Sequence, residues 1–130
     1  MREIKFRAYG NYPYKMFIPK EIVIVGDSIH SVYDEEGNRY VPEIPLMQYT
    51  GLKDKNGKEV YEGDYVYATT RGMDFETKFA VIRWSDYLKC VVVYSKDTDI
   101  DDCLPIGRFY ELEVIGNIHE NPELLNKDGK

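Results

Sequence analysis

Alternation of apolar and polar side chains dominates this chain, and helical spacing is scarce. Ile4, Phe6 and Ala8 alternate with Glu3, Lys5 and Arg7, the period of two expected of a strand with one buried face. Asn11-Tyr12-Pro13 ends that strand, and Pro19 bounds the apolar patch Met16-Phe17-Ile18. Two more strands are predicted over residues 21–25 and 28–33, with a turn at Gly26-Asp27 between them. Glu35-Glu36-Gly37-Asn38 closes the second. Pro42 and Pro45 predict an extended connector, because each biases the residue before it away from helix.

The strongest turn signals lie in residues 46–66. Asn56-Gly57 joins two residues that tolerate positive φ, which predicts a two-residue type I′ hairpin turn. Residues 46–52 before it and Val60-Tyr61 after it have strand character. Glu62-Gly63-Asp64 predicts a second turn, feeding the aromatic and β-branched run Tyr65-Val66-Tyr67-Ala68-Thr69-Thr70. Arg71-Gly72-Met73-Asp74 reads as a loop, residues 75–84 as a long strand, and Ser85-Asp86-Tyr87 as the turn into a strand over 88–94. The polar, acidic stretch 95–102 reads as an exposed loop, and residues 109–118 as the last strand. Asn121-Pro122-Glu123 predicts one short helical turn, with Asn as cap, Pro at the first helical position and Glu at the positive end of the dipole. Residues 126–130 are expected to fray.

This pattern predicts a mainly β protein. The expected fold is an SH3-like small barrel over residues 46–118, with additional N-terminal strands over 1–45 and a C-terminal turn and tail over 119–130. At 130 residues the chain fits one domain. It is long enough to bury about two-thirds of its unfolded surface without a disulfide or metal. Twelve Tyr stand against one Trp, a bias suited to half-exposed sheet faces, where a large apolar ring carries one polar tip.

The formal charge of −6 opposes a general nucleic-acid role, since phosphate binding depends on Lys and Arg replacing counterions. Lys53, Lys55 and Lys58 do cluster at the hairpin tip, but Asp54 and Glu59 interrupt them. No targeting signal is visible, and the most apolar short run, Ile22-Val23-Ile24-Val25, is far too short for a signal segment or a membrane span. Cys90 and Cys103 are the only cysteines, and reduced thiols are expected of the cytoplasmic location this implies.

Three constellations invite chemistry. Residues 97–102, Asp-Thr-Asp-Ile-Asp-Asp, begin like a calcium loop, but Asp102 and Arg108 occupy the positions that need Gly and Glu. Asp64 with Glu76 and Lys78 weakly resembles a metal-nuclease set, in which carboxylates hold the ion and Lys assists the attacking water. Turn geometry and an edge strand with alternating charges account for the same letters. His30 and His119 are the only histidines, so no multi-His site forms within one chain. Nucleophile elbows and phosphate-cradling Gly loops are absent. No cofactor and no catalytic residue is expected.

Three blocks resemble the YopX family of prophage and phage proteins. They are residues 1–8, Met-Arg-Glu-Ile-Lys-Phe-Arg-Ala; residues 46–59 with Glu62-Gly63-Asp64; and residues 113–125, from Glu113-Val114-Ile115-Gly116-Asn117 through Asn121-Pro122-Glu123-Leu124-Leu125. Tyr9 departs from the Trp many relatives carry there. Residues 10–45 and 68–108 do not look family-typical. The resemblance implies an intracellular, phage-derived, β-rich protein with no established biochemical role and no catalytic residue to carry over.

The expected function is therefore a non-enzymatic interaction or self-assembling module, a homo-oligomer or the binder of a phage or host protein, without membrane contact. Gln48, Tyr49 and Thr50 are the candidate interaction residues, because turn geometry does not account for them. The alternative is a nucleic-acid-binding small β-barrel with contacts through Lys53, Lys55, Lys58, Arg71 and Arg83. A metal-dependent hydrolase through Asp64, Glu76 and Lys78 is the third reading.

Overall fold

The computed structural model describes residues 4–11, 14–40, 44–70, 77–95, 100–103 and 109–124. The strands are β1 (Phe6–Asn11), β2 (Tyr14–Phe17), β3 (Glu21–Val25), β4 (Ser28–Tyr33), β5 (Arg39–Tyr40), β6 (Leu46–Lys53), β7 (Glu59–Tyr61), β8 (Asp64–Thr70), β9 (Thr77–Ser85), β10 (Cys90–Ser95), β11 (Ile100–Cys103) and β12 (Phe109–Asn117). The protein is mainly β, as the alternation predicts. It divides into two compact units, Met1–Gln48 and Tyr49–Lys130, and the division falls inside β6.

In the first unit β1 is a central strand. It pairs antiparallel with β2, Ala8 opposite Phe17, and with the start of β6, Arg7 opposite Met47. Alternation marked Arg7 as outward, yet it is buried, with Nε 3.5 Å from Met47 Sδ. A central strand covered on both faces leaves no polar side, so the arginine stem packs inside. The second sheet, β3-β4-β5, contains a bulge: Val23 faces Ser31 and Ile24 faces Ile29, leaving His30 without a partner across the ladder. Ala8, Val32, Tyr40 and Met47 are the buried apolar residues here, and Phe17 stacks on Tyr40 with ring centroids 4.8 Å apart.

In the second unit five strands form one antiparallel sheet in the order β11-β10-β9-β8-β12, curled into a half-barrel. Period-two alternation sends Val66 and Ala68 of β8, Ala80 and Ile82 of β9, Val93 of β10 and Leu112 of β12 to one face, where Val60 of β7 completes the core. The other face is aromatic: Tyr65 lies 5.2 Å from Phe79, Tyr67 6.4 Å from Phe79, and the Arg83 guanidinium 3.8 Å above the Tyr94 ring. Three of the twelve tyrosines, Tyr65, Tyr67 and Tyr94, lie on this face.

Two expectations fail in this unit. Residues 100–102 of the stretch 95–102, read as an exposed loop, belong to β11, with Asp101 opposite Tyr94 and Asp102 opposite Val93. Asp is depleted in strands on average, and the neighbouring edge of β10 overrides that preference. Cys90 is disulfide-bonded rather than reduced. Cys103 is the only other cysteine, and the β10–β11 register sets it opposite Val92, two residues from Cys90.

The chain after β12 turns back on itself. Asn117 Oδ1 accepts the N–H groups of His119 and Glu120, and its amide donates to Glu120 Oε1 at 2.8 Å. Of residues 121–125, where a helical turn is expected, 121–124 are described, and the Leu124 N–H donates to Asn121 O at 3.0 Å. Gly116 permits this return: a Cβ there would sit 2.7 Å from Asn121 Oδ1 and 3.0 Å from Leu124 Cδ1. The Asn121 oxygen is itself held by the Asn117 N–H, so it cannot simply swing aside. Gly116→Ala should cost about 1–3 kcal/mol, read as a lower urea midpoint at unchanged slope. An unchanged midpoint would show that the turn is not packed on β12.

Candidate functional site

Asp34 and Asp54 each root a hairpin turn of the same construction. In both, the Gly three residues on donates to the Asp carbonyl, Gly37 at 3.1 Å and Gly57 at 3.0 Å. The Asp N–H returns to the carbonyl four residues on, Asn38 at 3.1 Å and Lys58 at 2.7 Å. One carboxylate oxygen takes two backbone N–H groups: Glu36 and Asn38 for Asp34, Asn56 and Lys58 for Asp54, all at 2.8–3.0 Å. Gly37 and Gly57 have φ of 89° and 84°. Among the described residues Lys89 is the sole non-glycine with positive φ, so the Asn56-Gly57 turn is not the two-residue type I′ turn. It is a longer loop whose single left-handed position is the glycine.

The second oxygen differs between the two. Asp34 Oδ2 takes the Asn38 amide and the Tyr40 hydroxyl, and Lys15 Nζ lies 3.4 Å away while donating to Glu36 at 2.8 Å. Asp54 Oδ2 takes the Val114 N–H of β12 at 2.9 Å, beside a bond from Lys55 N to Leu112 O. Burial pushes both carboxyls up, but the hydrogen bonds outweigh it. Asn38, Tyr40 and Glu36 hold Asp34 far below its ordinary 3.8. Backbone bonds from Val114, Lys58 and Asn56 hold Asp54 below its own. Neither is poised to take a proton near neutrality.

The candidate interaction trio falls in β6. Gln48 is half-buried and lies opposite Phe6. Tyr49 is buried, its ring 5.5 Å from that of Tyr61. Thr50 Oγ1 donates to Val60 O at 2.8 Å and accepts the Leu52 N–H at 3.2 Å, bridging the irregular pairing between Tyr49 and Lys53, where Gly51 has φ of 90°. Tyr49 and Thr50 thus serve the fold. Their sequence signal is the glycine inside a strand pattern, which marks a bulge.

Of the basic residues, Lys53 ends β6 and Lys58 sits in the following turn, both exposed. Lys55 lies 3.6 Å from Glu113 and 3.8 Å from Glu111, so carboxylates already surround it. Arg83 lies in β9 over Tyr94, and Arg71 is outside the described residues.

Of the hydrolase set, the two described residues, Asp64 and Lys78, lie apart. Asp64 is buried at the β7–β8 turn and accepts the Tyr61 N–H at 2.8 Å. The register puts Lys78 opposite Ala68, four residues or about 13 Å along the strand from Asp64. Glu76 lies outside the described residues, as do residues 97–99 of the calcium-like run. No group of three or more His, Cys, Asp or Glu able to hold a metal occurs among the described residues. His30 Nδ1 lies 3.0 Å from Ser31 Oγ.

Sequence reasoning missed the exposed apolar turns. At the β9–β10 hairpin, Trp84 near the end of β9 is 50% exposed, and Tyr87 and Leu88 of the turn are 91% and 40% exposed. The turn is fixed by Leu88 N donating to Ser85 Oγ and Lys89 N to Ser85 O, and Trp84 Nε1 donates to Asp86. In the first unit the β3–β4 hairpin exposes Ile24, Val25 and Ile29. No helix among the described residues is long and apolar enough to cross a membrane.

A small β protein with a curled half-barrel sheet is thus the class that fold and surface define. The YopX protein family model matches residues 5–126, and the chain belongs to that family. Among solved structures it resembles protein EF1440 from Enterococcus faecalis, at 25% identity and a TM-score of 0.65, over 96% of this chain and 99% of that one. It also resembles the ribosome maturation factor RimM of two Staphylococcus epidermidis strains, each 25% identical over 115 residues, 88% of this chain. The chain spans 65% of the length of those relatives.

Both turn carboxylates have depressed pKa values, so their stabilisation is complete above about pH 4 and is lost as pH falls. Urea midpoints should therefore drop between about pH 6 and about pH 2, and Asp34→Asn and Asp54→Asn should each flatten that drop. Identical profiles in all three proteins would contradict the assignment. At neutral pH Asp54→Ala should cost about 2–3 kcal/mol, because a charged acceptor of three N–H groups is removed.

Proposed function

We propose that this chain is a non-enzymatic protein-interaction module, encoded by phage or prophage and acting in the host cytoplasm. The observation that carries this reading is the exposure of Trp84, Tyr87 and Leu88 at the β9–β10 hairpin. Large aromatic and apolar groups at a hydrogen-bonded hairpin tip are the side chains that anchor protein interfaces, and leaving Tyr87 almost wholly in water serves no packing purpose. The buried carboxylates support the same reading, since Asp34, Asp54 and Asp64 are engaged by backbone N–H groups.

The test is affinity capture from host cells, comparing the native chain with a Trp84→Ala/Tyr87→Ala variant of unchanged circular dichroism. A partner retained by the native chain should be lost by the variant. Equal capture by both, or a strict monomer that captures nothing, overturns the proposal.

A second reading rests on the likeness to proteins named ribosome maturation factor: the chain associates with a ribosomal particle during its maturation. It predicts co-sedimentation with a ribosomal subunit in a sucrose gradient. Recovery only at the top of the gradient ends it.

A further inference from the structure

β3 is an edge strand. Among the described residues it pairs with β4 alone, so the backbone N–H and C=O groups of its other side face no described strand. Natural sheets blunt such edges with charge, proline or a bulge. β3 has none of these over Ile22-Val23-Ile24-Val25, and the bulge of this hairpin lies in β4. Ile24 is 63% exposed, Val25 61%, and Ile29, directly opposite Ile24, 38%.

We propose that β3 joins two copies of this chain, paired antiparallel about a two-fold axis through Val23. This rests on the interaction-module reading and names one of its surfaces. A two-fold perpendicular to a sheet sets one residue against itself. With Val23 at the centre, Ile22 of each copy faces Ile24 of the other, Glu21 faces Val25, and Lys20 faces Gly26. The Ile29–Ile24 pair of one copy then continues into Ile22 of the second, forming an apolar ribbon across the joint.

Charge favours the same register. Lys20 and Asp27 are both exposed, and antiparallel pairing brings Lys20 of one copy next to Asp27 of the second at both ends. Parallel pairing would set like charges together, and a centre at Ile24 would oppose Glu21 to Asp27. The net charge of −6 repels two copies, but residues 22–25 of the edge carry none of that charge. Five-residue edges bury far less than the ~1,200–2,000 Å² of stable complexes. The joint is therefore weak and reversible.

Sedimentation equilibrium over a concentration series tests it. The native chain should show a monomer–dimer equilibrium, and Ile24→Lys should raise its dissociation constant about tenfold or more. Lys20→Asp and Asp27→Lys should each weaken the dimer, and the double variant should recover it. Hydrogen exchange on the native chain should show amides within residues 22–25 gaining protection with concentration, which keeps the test independent of how the variants fold. A monomer at every concentration overturns the β3 joint, even if capture through Trp84 and Tyr87 leaves the interaction reading standing. A dimer indifferent to Ile24→Lys also overturns it, and absence of rescue in the double variant overturns the register.

Discussion

The outer edge of β12 sets the constraint on which the second unit depends. It closes one side of the five-stranded sheet, and a sheet edge leaves backbone donors and acceptors that must find water or partners. The turn after β6 supplies them. Asp54 takes the Val114 N–H, and Lys55 donates its own N–H to Leu112 O. Because Asp54 also gathers the N–H groups of Asn56 and Lys58, a single carboxylate shapes its own turn and fastens it to the sheet. Gly63 adds a further tie, donating to Ile82 O and accepting from Ile118. Residues 54–63 of one family-like block and Val114 and Ile118 of another are therefore spatial neighbours within the second unit.

The first unit repeats the turn with a different outcome. Asp34 uses the same backbone pattern, but its spare oxygen collects Tyr40, Asn38 and Lys15 instead of a strand edge. The first unit thereby ties β2, through Lys15, to the turn between β4 and β5. Part of the acidic excess of this chain is consequently interior: Asp34, Asp54 and Asp64 are all buried. A carboxylate that accepts several N–H groups is held ionised by geometry, which suits a scaffold and removes it from proton-transfer chemistry. The β3–β4 and β9–β10 hairpins carry exposed apolar side chains, among them Ile24, Val25, Tyr87 and Leu88.

Much of the strand layout was legible. The alternation at Phe6 and Ala8, the Ile-Val run of β3, the turn at Gly26-Asp27 and the turn at Glu62-Gly63-Asp64 all follow from periodicity and local turn chemistry. Illegible features depended on distant partners. β11 exists because β10 offers it an edge, against the strand-averse aspartates. Arg7 is buried because both faces of β1 are covered, Arg7 on one and Ala8 on the other. The Thr50 hydroxyl bridges a bulge whose geometry no local pattern specifies. The candidate site fared worse than the fold, since Tyr49 and Thr50 looked unassigned only while Tyr61 and Val60, their partners across the ladder, were unseen.

Sequence by itself determined the secondary structure class, the positions of most turns and the kinship, because these rest on backbone preferences and on contacts within a few residues. The tertiary structure alone decided what the polar residues are for. Whether an aspartate caps a turn, holds a metal or sits in water depends on which N–H groups arrive from elsewhere in the chain. Asp54 acquires its decisive partner, Val114, from sixty residues away. Exposure is decided the same way: Ile24 and Val32 look alike as letters, and only packing leaves one in water and buries the other.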